Sequence, residues 1–430
     1  MGEPTLQHHS IVVVGGGFAG AACAERLGKR GVHVTLVDQH NYSQFQPLLY
    51  QLATAQAMLL SVAWPLRERF ARRSAVEVKM ARIASIDPTA RSVTSDDGVT
   101  FRGDHLVIAA GSRPNFYDTP GADKWAFPLY ALADAERLRS RIFSVFEDAD
   151  RKPELIERGA LNIVVVGAGS TGVETAGALG DLIRDVMPGR YPDLAVDAAQ
   201  VTLVDPGSVV LAPFSDRAHE YAVRALRRKG VHLELGASVT EVDEDRVTLS
   251  DGRQILTRAV VWAGGIQGPG LLANSGLPVG HGGRIDVQPD LTVAGFPGVY
   301  AIGDAANMPG ADGKPLPQLG SVALQAGRWA AGNIVADLDG RLRTPFRYHD
   351  KGIMAMIGRD AAIFEVGPRR REFHGTLAFG SWLGVHAYLL SGWRARLVAV
   401  RSWAWDYFSK SRALSIIDRP DAARIDWDGP

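Results

Sequence analysis

The chain has 430 residues, 46% of them hydrophobic, which is enough for two or three domains with cores of their own. Lys+Arg and Asp+Glu both number 47, so no global charge argues for a nucleic-acid partner. The single cysteine, Cys23, excludes a disulfide framework, a CxxC redox pair and a cysteine-built zinc site, and no metal is expected.

The polar stretch Met1 to Ser10 has no secretory signal pattern, so the compartment expected is cytoplasmic. Ile11-Val12-Val13-Val14 reads as a buried parallel strand. Gly15, Gly17 and Gly20 follow at G-x-G-x-x-G spacing, with Phe18 and Ala19 inside the loop. In such a loop the first glycine permits the turn, the second lets backbone approach a pyrophosphate, and the third lets the helix pack on the strand. The helix, Ala21 to about Arg30, would offer unpaired N–H groups to the phosphates, and Cys23 on it reads as a buried packing residue. A second strand, Val32 to Val37, ends on Asp38, about 20 residues past the glycines, where a carboxylate would bind an adenosine ribose.

Residues 41–51, aromatic and amide-rich but uncharged, are either a loop into a core helix or a wall beside a planar cofactor. Residues 76–101 alternate apolar and polar around an Asp97-Gly98 turn and predict short antiparallel strands. Leu106 to Ile108 predicts another buried strand, running through Ala109, Ala110 and Gly111 to a Ser112-Arg113-Pro114 turn; a charged helical connector follows from about Leu132 to Arg158. The opening pattern then recurs. Asn162 to Val166 leads into Gly167-Ala168-Gly169-Ser170-Thr171-Gly172, and the matching second strand, Val201 to Val204, ends on Asp205. The longer gap before Asp205 is assigned to an insertion around Met187 to Pro192. An acid there repels a 2′-phosphate, so the second nucleotide expected is NADH rather than NADPH. An Asp251-Gly252 hairpin and the strand Ala259 to Trp262 mirror the first half. Gly303-Asp304 ends a further strand; Asp304 either caps a helix beginning near Gln318 or receives flavin ribitol hydroxyls, and two dinucleotide folds favour the second.

Taken together, these pieces resemble the two-dinucleotide-binding-domain flavoproteins. Within them the chain resembles the type II, non-proton-pumping NADH:quinone oxidoreductases over nearly its whole length. The most specific pieces are Phe45-Gln46-Pro47-Leu48-Leu49-Tyr50-Gln51, Lys351 to Gly358, and Trp403-Ala404-Trp405-Asp406-Tyr407. The resemblance implies an α/β fold with two Rossmann-like domains, for FAD and NADH, and a C-terminal membrane-associating region. The expected boundaries are 1–118 and 279–345 for the two parts of the FAD domain, 119–278 for the NADH domain with its connector, and 346–430 for the quinone-site and membrane region. It further implies a cofactor set of Gly15, Gly17, Phe18, Ala19, Gly20, Asp38, Gln46, Pro47, Ala110, Gly111, Gly167, Gly169, Ser170, Thr171, Gly172, Glu174, Asp205, Gly264, Gly303, Asp304, Ser321 and Val322.

By the same resemblance Glu174 sits near the nicotinamide, whereas read from its place alone it is a carboxylate favouring a helix dipole. Gln325 matches a family glutamine facing the flavin and quinone, while Ser321 and Ala326 stand where two others are usual. Lys351 matches a lysine near the quinone, where its charge would stabilise a reduced oxygen; a solvated lysine after His349-Asp350 is the plainer reading. Glu174, Gln325 and Lys351 are thus the expected catalytic residues.

The C-terminal part segregates charge. Residues 366–412 carry eight Lys/Arg against Glu372 and Asp406, or +6. Gly375 to Trp393 has no formal charge and is near spanning length, yet its polar content favours a monotopic mode. Leu397, Val398, Val400, Trp403, Ala404, Trp405, Tyr407 and Phe408, flanked by Arg394, Arg396, Arg401 and Lys410, suit an interfacial helix; a core or dimer-interface helix is the alternative. The expectation is an FAD-dependent NADH:quinone oxidoreductase on the cytoplasmic side of the membrane, using menaquinone or ubiquinone, with a homodimer possible. The rivals are a soluble NADH-dependent reductase of a ferredoxin-like or small-molecule acceptor, and an NADH-binding redox sensor with little turnover. Sulfide:quinone chemistry is disfavoured, because it needs catalytic cysteines.

Overall fold

The computed structural model describes residues 9–311, 313–367, 369–390, 392–409, 412 and 414–418. Two compact units emerge. One takes the described residues up to Gln44, Trp64–Arg113 and Ile266–Asp350; the other takes Phe45–Ala63, Pro114–Gly265 and the described residues from Lys351 onward.

The first unit is built on a five-stranded parallel sheet ordered Val299–Ala301, His105–Ile108, Ser10–Val14, His33–Asp38, Val76–Met80. Its central strands are apolar on both faces and buried, as covering helices require. Helix Phe18–Gly28 packs on helix Gly320–Leu338 through small residues. A Cβ on Gly327 would lie 2.0 Å from the Ala19 carbonyl oxygen, so only glycine allows that approach. The expected run of antiparallel strands over 76–101 is corrected at its start. Val76–Met80 pairs in parallel with His33–Asp38, and only Ile83–Asp87, Ser92–Ser95 and Thr100–Arg102 form an antiparallel sheet. Both arrangements bury alternate residues, so the alternation could not separate them.

The second unit repeats the design. Its parallel sheet runs Ala126–Pro128, Ala259–Trp262, Asn162–Val166, Gln200–Asp205, Val231–Leu235, with a three-stranded antiparallel sheet of Val239–Val242, Arg246–Leu249 and Gln254–Leu256. The outer position beside Ala259–Trp262 is filled by a strand that precedes the glycine loop in sequence; in the first unit the equivalent strand, Val299–Ala301, comes from far downstream. The connector helix spans Leu132–Arg151 and stops short of Arg158, because Pro153 disfavours helical backbone at Lys152.

After a third antiparallel sheet, Ile353–Gly358, Ala361–Val366 and Arg371–His374, come helices Thr376–Leu389 and Trp393–Ser409. The 14 residues of the former extend about 21 Å, against a hydrocarbon core of about 30 Å. Among the described residues no helix is long and apolar enough to cross a membrane.

Candidate active site

Both glycine loops are built alike, atom for atom. Gly15 N–H donates to the Val37 carbonyl at 2.8 Å and Gly167 N–H to the Val204 carbonyl at 2.8 Å, pinning each turn to its second strand. Gly15 and Gly167 have φ of 99° and 102°, and a Cβ on either would collide with the carbonyl of Ala109 or Ala263. A Cβ on Gly20 would lie 1.9 Å from the Gly15 oxygen, and one on Gly172 1.7 Å from the Gly167 oxygen. The middle glycines differ in kind. A Cβ on Gly17 or Gly169 would meet nothing within 4 Å, so these two face open space at the helix start.

Neither helix has a capping side chain or an acidic residue in its first turn. The unpaired N–H groups and the positive end of each dipole are therefore directed at that space, the chemistry a pyrophosphate requires. Phe18 and Ala19 open the helix Phe18–Gly28, and Ser170 and Thr171 are exposed at the start of helix Ser170–Asp185.

The terminal acids are held in the same way. Asp38 Oδ2 accepts from Gly16 N–H at 2.6 Å, and Asp205 Oδ2 from Ala168 N–H at 2.6 Å. The other oxygen of Asp38 accepts from His40 N–H at 2.7 Å, and that of Asp205 from Gly207 N–H at 2.6 Å. Each carboxylate is oriented by backbone at the rim of its loop, where a ribose would lie. Burial raises the Asp38 carboxyl, with the Gly16 and His40 amides opposing. The amides of Gly16 and Ala168, not singled out from sequence, thus tie loop to acid; they are the residues between the first two glycines of each motif, a readable position.

Asp304 lies in the short turn Gly303–Ala305 and not at a helix cap, since the next long helix begins at Gly320. Its Oδ2 accepts from Ser112 Oγ at 3.3 Å, and burial raises its carboxyl, opposed by Ser112 and Arg284. A half-buried carboxylate that, among the described residues, has one side-chain hydrogen bond, to a serine, has acceptor capacity for ribitol hydroxyls. The donor loops, the ribose acids and Asp304 all fit two dinucleotides, one of them a flavin. Ala110 and Gly111 follow the strand His105–Ile108 in the first unit, and Gly264 follows the strand Ala259–Trp262 in the second, beside the Trp262 ring.

Glu174 is the fifth residue of helix Ser170–Asp185, past the first turn, so dipole placement does not account for it. It is buried at 8% exposure, and one oxygen accepts the Met356 backbone N–H at 3.0 Å. Burial pushes its carboxyl up to about 8 against that hydrogen bond, so it holds a proton at neutral pH. Around it in the same unit stand Tyr50, whose hydroxyl donates to Met356 Sδ at 3.3 Å, and Gln51, which donates to the Tyr50 hydroxyl at 3.1 Å. Trp403 Nε1 donates to Gln51 Oε1 at 2.7 Å, which turns this indole inward and away from the interfacial role expected of it. Gln46 and Pro47 open the same segment in a short turn, Gln46–Leu48. Residues 45–51 therefore lead into a buried helix, Leu49–Ala53, as the first reading of this segment expects.

The remaining residues are placed as follows. Gln325, on helix Gly320–Leu338, donates through Nε2 to the His349 carbonyl and accepts from the His349 N–H, both at 3.0 Å. Both ends of its amide are thereby engaged in clamping backbone. Ser321 hydrogen-bonds the Tyr348 hydroxyl at 3.0 Å, and Val322 and Ala326 are fully buried. Lys351 is exposed in the second unit, and Lys410 lies outside the described residues. The structure thus gathers Gly15, Gly17, Gly20, Asp38, Gly303 and Asp304 in one unit and Gly167, Gly169, Gly172, Glu174 and Asp205 in the other. Cys23 is buried in the first helix, its thiol pushed up to about 12, a packing residue and not a nucleophile.

Residues 9–327 match the pyridine nucleotide-disulphide oxidoreductase family. Among curated proteins, the type II NADH:quinone oxidoreductase Ndh of Mycobacterium tuberculosis is 33% identical, covering 98% of this chain and 94% of that protein. The demethylphylloquinone reductase NdbB of Synechocystis is 28% identical over 91% of this chain and 95% of its own length. Among solved structures, NDH2 from Plasmodium falciparum in complex with NADH superposes with a TM-score of 0.86 at 17% identity, covering 93% of this chain and 98% of that one.

Proposed function

The chain belongs to the pyridine nucleotide-disulphide oxidoreductase family and, within it, to the type II NADH:quinone oxidoreductases, and from that premise we propose that it carries the electron pair of NADH through FAD to a membrane quinone. The observation that carries the assignment is the doubled loop: two backbone-donor cradles, each closed by an amide-held carboxylate, with a buried Glu174 two residues past the second. FAD, when bound, supplies the redox chemistry by accepting a hydride and returning two electrons.

The protein's own part is binding, orientation and proton supply. The helix Phe18–Gly28 and the loop Gly15–Gly20 hold the FAD pyrophosphate, Asp38 its adenosine ribose and Asp304 its ribitol. Ala110, Gly111, Ser321 and Val322, in the same unit, complete that set. The loop Gly167–Gly172, with Ser170 and Thr171, holds the NADH pyrophosphate, Asp205 its ribose, and Gly264 allows backbone approach. Glu174 stands near the nicotinamide and keeps a proton available in a dry site. Lys351 meets developing negative charge on the quinone, and Gln325 acts by fixing the backbone at His349, two residues before Lys351 in sequence.

The two C-terminal helices rest the protein on the cytoplasmic face of the membrane. Their buried stripes are narrow, Ala378, Trp382 and His386 on one and Ala395, Ala399 and Ser402 on the other, and much of the remainder is apolar and exposed. The test is anaerobic. One equivalent of NADH should bleach the flavin rapidly, and a menaquinone analogue should restore its absorbance. Bleaching without recovery would remove quinone as the acceptor and leave a reductase of some other acceptor.

A further inference from the structure

The Trp403 to Tyr407 stretch contains one acid, and nothing in the nucleotide sites uses it. Asp406 stands on the helix Trp393–Ser409, among aromatic and aliphatic neighbours, yet its carboxylate is turned inward. Oδ2 is closed to solvent and accepts no hydrogen bond among the described residues. It lines a partly open cavity of about 50 Å³ with Tyr50, Gln51, Met356, Arg359 and Arg412. A water needs about 10–15 Å³ by this measure, so the cavity has room for a few.

The charged groups around Asp406 do not neutralise it. Arg359 spends Nη2 on the Asp406 backbone carbonyl at 2.8 Å, and buried Arg412 donates to the Thr54 carbonyl at 2.6 Å. Asp181 is closed by Lys229 Nζ at 2.6 Å and by the Arg359 N–H at 2.7 Å. Asp185 is held by Arg184 at 2.9 Å, and the Tyr407 hydroxyl donates to Asp360 at 3.0 Å. Burial therefore dominates and pushes Asp406 up to about 7, with Arg412 and Arg359 pulling the other way. A carboxyl there loads and unloads a proton near neutral pH.

The inner wall of the cavity connects to Glu174. Met356 takes the Tyr50 hydroxyl on its sulfur, while its backbone N–H holds the Glu174 carboxyl at 3.0 Å. Quinone reduction consumes two electrons and two protons. The hydride of NADH brings both electrons and one proton, so the second proton must come from water in each turnover. Resting on the quinone reading above, we propose that Asp406 is a proton-loading carboxylate of the enzyme: it takes a proton from water entering the cavity and, once Glu174 has given its own proton to the reduced quinone, replaces that proton along the wall that Tyr50 and Met356 form.

The experiment uses the full FAD-loaded chain and Asp406→Asn, which keeps size and removes the exchangeable proton. Bleaching by NADH and turnover with ferricyanide, which takes electrons without protons, should match the parent. Quinone turnover should fall by about tenfold above neutral pH and recover on adding formate or azide. Without turnover, infrared spectra should show a carboxyl band titrating near neutral pH that Asp406→Asn removes. Tyr50→Phe should show the same split between acceptors. Equal losses with ferricyanide and quinone, an unchanged quinone rate, or the same set of titrating carboxyl bands in parent and variant would each overturn the assignment. A parent protein that bleaches but never recovers with quinone would instead overturn the reading on which it rests.

Discussion

At the scale of single residues, Glu174 and Asp205 make opposite demands. Glu174 is kept neutral by burial: its ordinary value of 4.5 is raised to about 8. The folded protein therefore keeps a proton that the unfolded chain releases between those two values, so stability falls as pH rises from about 5 to about 8. At about 1.4 kcal/mol per unit, the whole shift bounds the effect at about 5 kcal/mol. Glu174→Gln, which still accepts the Met356 N–H, should flatten that slope; melting temperatures of both proteins at the two pH limits would measure it. Asp205 is instead oriented at a rim by two backbone amides, where its negative charge would repel a 2′-phosphate. Asp205→Asn should lower flavin reduction by NADH and raise the NADPH-to-NADH efficiency ratio by about tenfold, or about 1.4 kcal/mol. Stopped-flow bleaching with each nucleotide reads it. Parent-like discrimination in the variant would remove Asp205 from the ribose site.

At the scale of elements, the glycine loops were legible because their constraints are local. A buried strand, a turn needing positive φ and a helix that must touch the strand all fall within ten residues, so spacing alone specifies them. The ribose acids were legible for the same reason, each ending the next strand of a βαβ unit. What the sequence hid is what distance decides. Glu174 is paired with an amide 182 positions away, and the buried Asp181–Lys229 pair spans 48. Val76–Met80 joins the parallel sheet because His33–Asp38 offers it an edge, which alternation cannot reveal. Gln325 shows the limit of likeness: its identity was readable, but not that both ends of its amide clamp His349. The two loops also make separable predictions. Gly20→Ala should purify without flavin, because its Cβ forces the first helix off its strand. Gly172→Ala should stay yellow yet bleach with NADH at least a hundredfold more slowly, since the same clash falls in the second unit. Absorbance of the purified variants, followed by NADH titration, distinguishes them. Loss of flavin from both would mean that the loops do not serve separate nucleotides.

At the scale of the whole molecule, the question is what covers the apolar residues that the fold leaves outside. Tyr388, Trp393 and Phe408 are 75%, 68% and 83% exposed, and Leu377, Leu397, Val400 and Trp405 lie open on the same two helices. Met58-Leu59-Leu60, three consecutive exposed apolar residues, adds to them, because helix Leu59–Val62 packs against helix Trp393–Ser409. Such a run is costly unless something covers it. Exposed Arg394, Arg396 and Arg401 alternate with these side chains along the last helix, which suits anionic headgroups above an acyl layer and would repel a second copy bringing the same cations. Each large side chain is worth about 1.5–3 kcal/mol on full burial, so a few half-buried ones suffice for firm binding. The protein should therefore sediment with phosphatidylglycerol vesicles, and Leu60→Asp and Phe408→Asp should each weaken that binding by about tenfold or more. Raising salt should weaken binding only in part, since screening removes the arginine contribution and leaves the apolar one. NADH–ferricyanide activity should not change in either variant, while turnover with a long-chain quinone held in the vesicles should fall with binding. Sedimentation of the free protein as a dimer that Phe408→Asp dissociates, with no vesicle binding at any salt, would assign this face to a second copy instead.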